Sequence, residues 1–253
     1  MRRRGMSPSY RLAVFGVKPV LTLVTRRDWR GAEHLPRSTG YIVCSNHLSY
    51  ADPFTLAHFL YDHGALPRFL GKEAVLRVPV AGRILRGAGQ IPVYRESGDA
   101  SLAFSAAVDA VRAGECVPMY PEGSLTRDPD LWPMRGKTGA ARVALTTRCP
   151  VIPVAQWGPQ DVLAPYGKRL HLLPPRRLRV EAGPPVDLSR FEGKELDKST
   201  LLAATDAILD DITRILERLR GQKAPPARWD PRDHGQPPTG NYKQTGNDKR
   251  RTG

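Results

Sequence analysis

Asn46-His47-Leu48-Ser49-Tyr50-Ala51-Asp52-Pro53 stands where an apolar run, Tyr41 to Ser45, gives way to a helical pattern, Phe54 to Leu60. A buried strand that turns and leads at once into a helix is the repeating unit of α/β proteins, and its turn is where they expose reactive groups. In one continuous helix the five-residue separation would set His47 and Asp52 about 140° apart, so a turn has to bring them together. Asp52-Pro53 supplies one, because aspartate is a favoured N-cap and proline a favoured first helical residue. Two readings follow. Asp52 can hold one imidazole nitrogen of His47 and leave the other to take a proton from a hydroxyl group. Equally, Asp52 can be a plain helix cap beside a strand-end histidine, and one His and one Asp at fixed spacing do not decide between them.

On either side of this junction the same alternation continues. Short apolar runs predict strands at Arg68 to Gly71, Gln90 to Tyr94, Cys116 to Tyr120, Val151 to Trp157 and Leu178 to Ala182. Ala100, Ala103, Phe104, Ala107, Val108 and Val111 keep the 3-4 spacing of a helix over 99–113, with Gly114 as its stop. A second helix is expected over 136–148, ended by Cys149-Pro150. A third is expected over 200–220, capped by Ser199 or Thr200 and carrying an Asp210/Arg214 pair on its wet side.

The chain has 253 residues, 40% of them hydrophobic, enough for one large α/β domain with a substantial core. Its 39 Lys and Arg outnumber 25 Asp and Glu, and the net charge of +14 points to polyanions: nucleic acid, anionic lipid or phosphorylated substrates. Nucleic acid is the least favoured, since no recognition motif or basic patch interleaved with aromatics is present. Cys44, Cys116 and Cys149 are odd in number and far apart, which predicts neither a disulfide framework nor a metal site and suits a reducing cytosol. Leu12 to Val24 is apolar but is interrupted at Lys18-Pro19 and is shorter than the ~20 residues needed to cross a bilayer. Residues 1–30 are therefore expected to be a membrane-associating segment, a short interfacial helix with Arg26, Arg27 and Arg30 at lipid headgroups. A helix packed on the domain fits the same pattern. Residues 31–221 form the domain proper. Residues 222–253, rich in Pro, Gly, Asn and Lys, are expected to be a disordered basic tail without a role in turnover.

Three further stretches carry chemistry. Tyr120-Pro121-Glu122-Gly123-Ser124-Leu125-Thr126-Arg127 follows a predicted strand; Gly123 permits close backbone approach, Arg127 can fork onto a phosphate, and Glu122 can orient a cation or a backbone amide. Gly89-Gln90-Ile91-Pro92-Val93-Tyr94-Arg95 sets an arginine at another strand end. Lys137, in Arg135-Gly136-Lys137-Thr138-Gly139, stands at a helix start. Each alone is equally an ordinary turn with a solvated charge.

Together, Asn-His-x-x-x-x-Asp, Gly-x-Ile-x-x-x-Arg, Pro-Glu-Gly and the apolar Val151-Ile152-Pro153-Val154 resemble the four motifs of the 1-acylglycerol-3-phosphate acyltransferase family. The resemblance spans roughly Leu12 to Leu219. It implies a glycerol-3-phosphate acyltransferase-like fold, a mixed sheet flanked by helices. It also implies transfer of a fatty acyl group from acyl-CoA or acyl carrier protein, with no cofactor, to the free hydroxyl of a lysophosphatidic acid-like glycerolipid. By that resemblance His47 is the general base and Asp52 its orienting partner, with Arg95, Glu122 and Gly123 at the acceptor and its phosphate; Asn46, Arg127 and Lys137 are further candidates for acceptor binding. The chain departs from the family in one place: the arginine expected two residues after the glycine of Pro-Glu-Gly is Leu125 here, and arginine comes at Arg127. The implied setting is peripheral, at the cytoplasmic face of a membrane with anionic lipid. Another lysophospholipid or a glycolipid as acceptor, or a non-catalytic lipid-binding protein on the same fold, are the alternatives.

Overall fold

The computed structural model describes residues 6–72, 77–93 and 100–237. Seven strands are present among them: β1 (Thr25–Arg30), β2 (Tyr41–Ser45), β3 (Leu70–Lys72), β4 (Ile91–Val93), β5 (Cys116–Met119), β6 (Val151–Trp157) and β7 (Arg176–Ala182). The helices are α1 (Pro8–Val24), α2 (Asp52–Asp62), α3 (Ala81–Gly87), α4 (Ala100–Arg112), α5 (Gly139–Thr147), α6 (Pro159–Val162) and α7 (Lys198–Arg220).

Five strands make one sheet in the order β1-β7-β6-β2-β5, and β3 pairs with β4 beside it. Only β6 and β7 run antiparallel, so the sheet is mixed, as the motifs implied. A bridge from Pro67 to Cys116, with the Arg68 amide donating to the Cys116 carbonyl at 2.8 Å, joins the small sheet to β5. The central strand β2 is buried on both faces, which is why it reads as a continuous apolar run. Ile42 and Cys44 pack with α4, α5 and α7, whereas Tyr41 and Val43 pack with Leu56, Phe59 and Leu60 of α2. Each fully buried aliphatic side chain here contributes about 1.5–3 kcal/mol.

Several boundaries differ from expectation for identifiable reasons. α5 starts at Gly139 and not Gly136, because the Lys137 amide donates to the Pro121 carbonyl at 2.8 Å and Gly136 is wedged against Thr205 and Leu209. α7 is capped by Asp197, whose carboxylate accepts the Thr200 amide at 2.7 Å. Its Arg214 pairs with Asp211, while Asp210 takes Arg228.

The N-terminal boundary moves as well. Thr25–Arg30 is not part of a peripheral segment but the edge strand β1, parallel to β7 along all six residues. What precedes it is α1, which runs through Pro19 without ending. One side of α1 is docked: Ser7 donates to the Gly87 carbonyl at 2.6 Å, Tyr10 stacks on Tyr61, and Lys18 pairs with Asp62 at 2.6 Å. The other presents Leu12, Phe15, Val20 and Leu23 to solvent, Phe15 being 81% exposed. Among the described residues no helix is long and apolar enough to cross a membrane.

The segment after Gly221 is a correction too. Residues 222–237 are placed: Arg228 bridges Asp206 and Asp210 of α7, Trp229 stacks on His234 at 3.5 Å, and Pro231–His234 forms a 3-10 turn. A count of apolar residues misses such a segment because polar pairs hold it. Residues 238–253, and the expectation for them, lie outside the described residues.

Candidate active site

Parallel register brings the C-terminal ends of β2 and β5 side by side, Cys44 opposite Met119, so the loops that follow, 46–51 and 120–127, meet. His47 is gripped through its backbone by the second loop. Its amide donates to Glu122 Oε1 at 2.9 Å, and its carbonyl accepts the Thr126 amide at 2.7 Å. The imidazole lies flat against the Tyr120 ring, centroids 4.0 Å apart and planes 16° from parallel.

The ring's Nδ1 is 2.8 Å from Asp52 Oδ2. The same oxygen accepts the Leu48 amide at 2.5 Å and the Ser49 amide at 2.8 Å. An oxygen that already accepts two N–H groups is a poor place for a proton, so the third contact is a donation from Nδ1–H. Nε2 is thereby the basic nitrogen; no described residue hydrogen-bonds it, and the His47 side chain keeps 15% of its surface open. Asp52 is not the helix cap that its position before Pro53 suggested. It is the first residue of α2, and its carboxylate turns back to the loop upstream and makes no side-chain cap bond. Ser49 fixes that loop by donating to the Leu163 carbonyl at 2.6 Å.

Two residues expected at the acceptor are occupied with the protein's own backbone instead. Asn46, fully buried, donates to the Gln156 carbonyl at 3.0 Å and accepts the Gln156 amide at 2.8 Å, pairing with β6 as a strand would. Glu122 is also buried: Oε1 takes the His47 amide and Oε2 the Met134 amide at 3.0 Å. Burial pushes the Glu122 carboxyl up to about 8, overcoming the two amide donors that favour its charged form. Both residues therefore place His47 and have no free atoms aimed at a ligand.

Gly123 has φ +71, and a Cβ there would lie 2.8 Å from Lys137 Cδ and 3.2 Å from its Nζ. The exposed Lys137 thus lies across the Pro-Glu-Gly turn, and the structure brings it to the site. Arg127 is buried beside the Tyr166 phenol, whose hydroxyl donates to the Leu125 carbonyl at 2.9 Å. Arg95 lies outside the described residues. Cys44 is fully buried, and desolvation pushes its thiol far above the ordinary range, so it stays protonated. Among the described residues no group of three or more His, Cys, Asp or Glu side chains converges as metal ligands. Tyr120 was not singled out from the sequence; its place at the end of a strand parallel to the one before His47 was the available signal.

A buried carboxylate orienting an imidazole whose far nitrogen stays open is an arrangement for removing a proton from a weak acid. The acyltransferase family profile matches residues 26–157, a span that holds both His47 and Asp52. The chain belongs to the acyltransferase family. The resemblance carried by the four motifs is thereby borne out. Relatives include the 1-acyl-sn-glycerol-3-phosphate acyltransferase of Borreliella burgdorferi, 26% identical over 206 residues, covering 81% of this chain and 74% of the relative. The protein of the same name from Bacillus subtilis is 25% identical over 213 residues, covering 83% of this chain and 98% of its own. In fold, this acyltransferase is similar to the crystal structure of the 1-acyl-sn-glycerophosphate (LPA) acyltransferase PlsC from Thermotoga maritima, with TM-score 0.62, 20% identity and 88% of each chain covered.

Proposed function

We propose that this acyltransferase moves a fatty acyl group from acyl-CoA or acyl carrier protein to the free hydroxyl of a lysophosphatidic acid-like glycerolipid, at the cytoplasmic face of a membrane containing anionic lipid. The observation that carries it is the His47/Asp52 pair, Nδ1 to Oδ2 at 2.8 Å with Nε2 open. An alcohol is too weak an acid to be ionised fully by imidazole, so the proton leaves as the C–O bond forms. The acceptor oxygen attacks the thioester carbonyl while His47 Nε2 takes the hydroxyl proton. The tetrahedral adduct then breaks its C–S bond, and the imidazolium returns the proton to the departing thiolate, giving an ester and a free thiol. Asp52 stabilises the imidazolium between these events. With Cys44 buried and protonated and no serine elbow in the sequence, transfer is direct and has no acyl-enzyme.

Lys137 and Arg127 supply positive charge for the acceptor phosphate, and Arg95 joins them in this reading. The exposed apolar side of α1 sits in the lipid interface, with Arg26 and Arg27 of β1 nearby on the wet surface. Purified protein incubated with acyl-CoA or acyl carrier protein and a panel of lysolipids, with products identified by mass spectrometry, tests the assignment. An acylated lysophosphatidic acid as main product is expected. Acylation only of acceptors without a phosphate, or none at all, would overturn it.

A further inference from the structure

After α7 ends at Gly221, the chain doubles back along that helix and crosses the loop that follows the Pro-Glu-Gly turn. Its attachments are discrete. The Ala224 amide donates to Glu217 at 2.9 Å, and Arg228 bridges Asp206 and Asp210 of α7. The Trp229 carbonyl accepts the Arg135 amide at 2.9 Å, and Asp230 accepts the Arg135 guanidinium at the same distance. Between the segment and the body of the protein a cleft of about 420 Å³ remains partly open to solvent, lined by Trp132 and Leu202 and by the charged Asp206, Asp210, Arg228 and Asp230. A segment held at points over a cleft contributes little to the core, yet it constrains whatever those points grip.

What they grip is one residue away from the site. Arg135 is flanked by Met134, whose amide donates to Glu122 Oε2 at 3.0 Å, and Glu122 Oε1 in turn accepts the His47 amide at 2.9 Å. Two residues further on, the Lys137 amide is bonded to the Pro121 carbonyl at 2.8 Å, with its side chain over Gly123. We propose that residues 222–237 are a positioning strap for the base: through Trp229 and Asp230 they fix Arg135, hence the Met134 amide, hence Glu122 and the backbone of His47. The strap touches no reacting atom. It sets the direction in which Nε2 points, and displacement of a catalytic base by a fraction of an ångström is enough to slow proton transfer. The inference rests on the reading of His47 as base, but its mechanical part can be measured without turnover.

The test compares the full chain with a chain stopped after Gly221, a chain stopped after Pro237, and the full-length double variant Arg228→Ala/Asp230→Ala, which loosens the strap without shortening the protein. Amide hydrogen exchange at His47 and Met134 is read against Ile42, whose amide in β2 donates to the Pro150 carbonyl at 3.1 Å. Stopping after Gly221, or the double variant, should speed exchange at His47 and Met134 roughly tenfold or more and lower kcat roughly tenfold, with Ile42 unchanged. Arg228→Lys/Asp230→Glu should restore both, and the stop after Pro237 should match the full chain. Unchanged exchange at His47 and Met134, or acceleration shared equally by Ile42, would overturn the proposal, the second because it marks a general loss of stability. A tenfold loss already present in the stop after Pro237 would overturn it as well. Exchange that responds in a full-length protein with no turnover on any lysolipid would uphold the strap and sink the acyltransfer reading instead.

Discussion

Asp52→Asn keeps the shape of a buried side chain and removes its charge. Oδ2 lies 2.8 Å from His47 Nδ1 and accepts the Leu48 and Ser49 amides, and an asparagine carbonyl can accept all three. Its amide group falls where Oδ1 is buried with no hydrogen-bond partner among the described residues, so its N–H donors go unpaired at a cost of about 1–3 kcal/mol, while the three bonds accepted by the carbonyl keep the turn and α2 in place. What goes is the attraction between carboxylate and imidazolium as the proton is taken. A full charge pair at 2.8 Å is worth about 6 kcal/mol at an effective dielectric of about 20, about four powers of ten in rate. General-base assistance as a whole is worth about 10²- to 10⁴-fold, which sets the ceiling. The expected result is therefore a fall in kcat of between about 10²- and 10⁴-fold, with KM for donor and acceptor nearly unchanged. Release of free thiol from acyl-CoA measures it, alongside urea unfolding to establish that the variant is still folded at the assay temperature. His47→Ala should fall at least as far, and the double variant no further, because the two residues act as one unit. A folded Asp52→Asn protein with near-wild-type kcat would refute the reasoning and reduce Asp52 to a brace for the 47–49 turn.

Four other outcomes follow from the same geometry. Glu122 is raised from 4.5 to about 8 in the folded protein, so the folded state binds the extra proton between those values; stability is full below the lower value and should fall as pH rises toward the higher, at up to about 1.4 kcal/mol per pH unit. Urea unfolding of wild type and Glu122→Gln across that window should show the slope in the first only, and equal slopes would remove Glu122 as its source. Lys137→Ala should raise KM roughly tenfold for a phosphorylated acceptor while sparing its dephosphorylated analogue and the donor; equal effects on both acceptors would place Lys137 elsewhere. Tyr120→Leu removes the ring stacked on His47, and an aromatic contact worth about 0.5–1.5 kcal/mol should cost kcat about threefold to tenfold; a value unchanged within twofold would make Tyr120 a spectator. Phe15→Glu with Leu23→Glu should weaken sedimentation with anionic vesicles at least tenfold, since each apolar side chain contributes about 1.5–3 kcal/mol when buried. Undiminished binding would sink the interfacial role of α1.

Strands β2 and β6 were legible because a strand covered on both faces needs a near-continuous apolar run, and Tyr41–Ser45 and Val151–Trp157 match the predicted spans. β1 was not. Its sequence, Thr-Arg-Arg-Asp-Trp-Arg, belongs to an edge strand whose charges remain wet, and such strands have no apolar periodicity to read. Any cut intended to remove only the peripheral helix must therefore stop before Thr25, or it strips the partner of β7. The strap escaped for a related reason: Arg228, Asp230 and Trp229 act through ion pairs and a carbonyl, to which composition is blind.

At the site, the identities of His47 and Asp52 were legible and their geometry was not, because whether a carboxylate faces downstream amides or an upstream ring depends on the turn and not on residue type. Asn46 and Glu122 were expected at the acceptor, Glu122 through the family resemblance, whereas their polar atoms pair with Gln156, Met134 and His47 itself. Taken together, Asp52 and Glu122 hold backbone amides of the loop that follows β2, and Asn46 pins the start of that loop to the Gln156 backbone in β6. A histidine on a loop has no secondary structure to aim it, and buried acceptors that bind backbone donors replace that missing scaffold. With those side chains committed to placement, the proposed acceptor phosphate is left to cations, and Lys137 is the one the structure lays across Gly123. Replacing placement residues should therefore lower kcat, and replacing the cations should raise acceptor KM. A mutant series in which Glu122→Gln altered KM alone would break that division of labour.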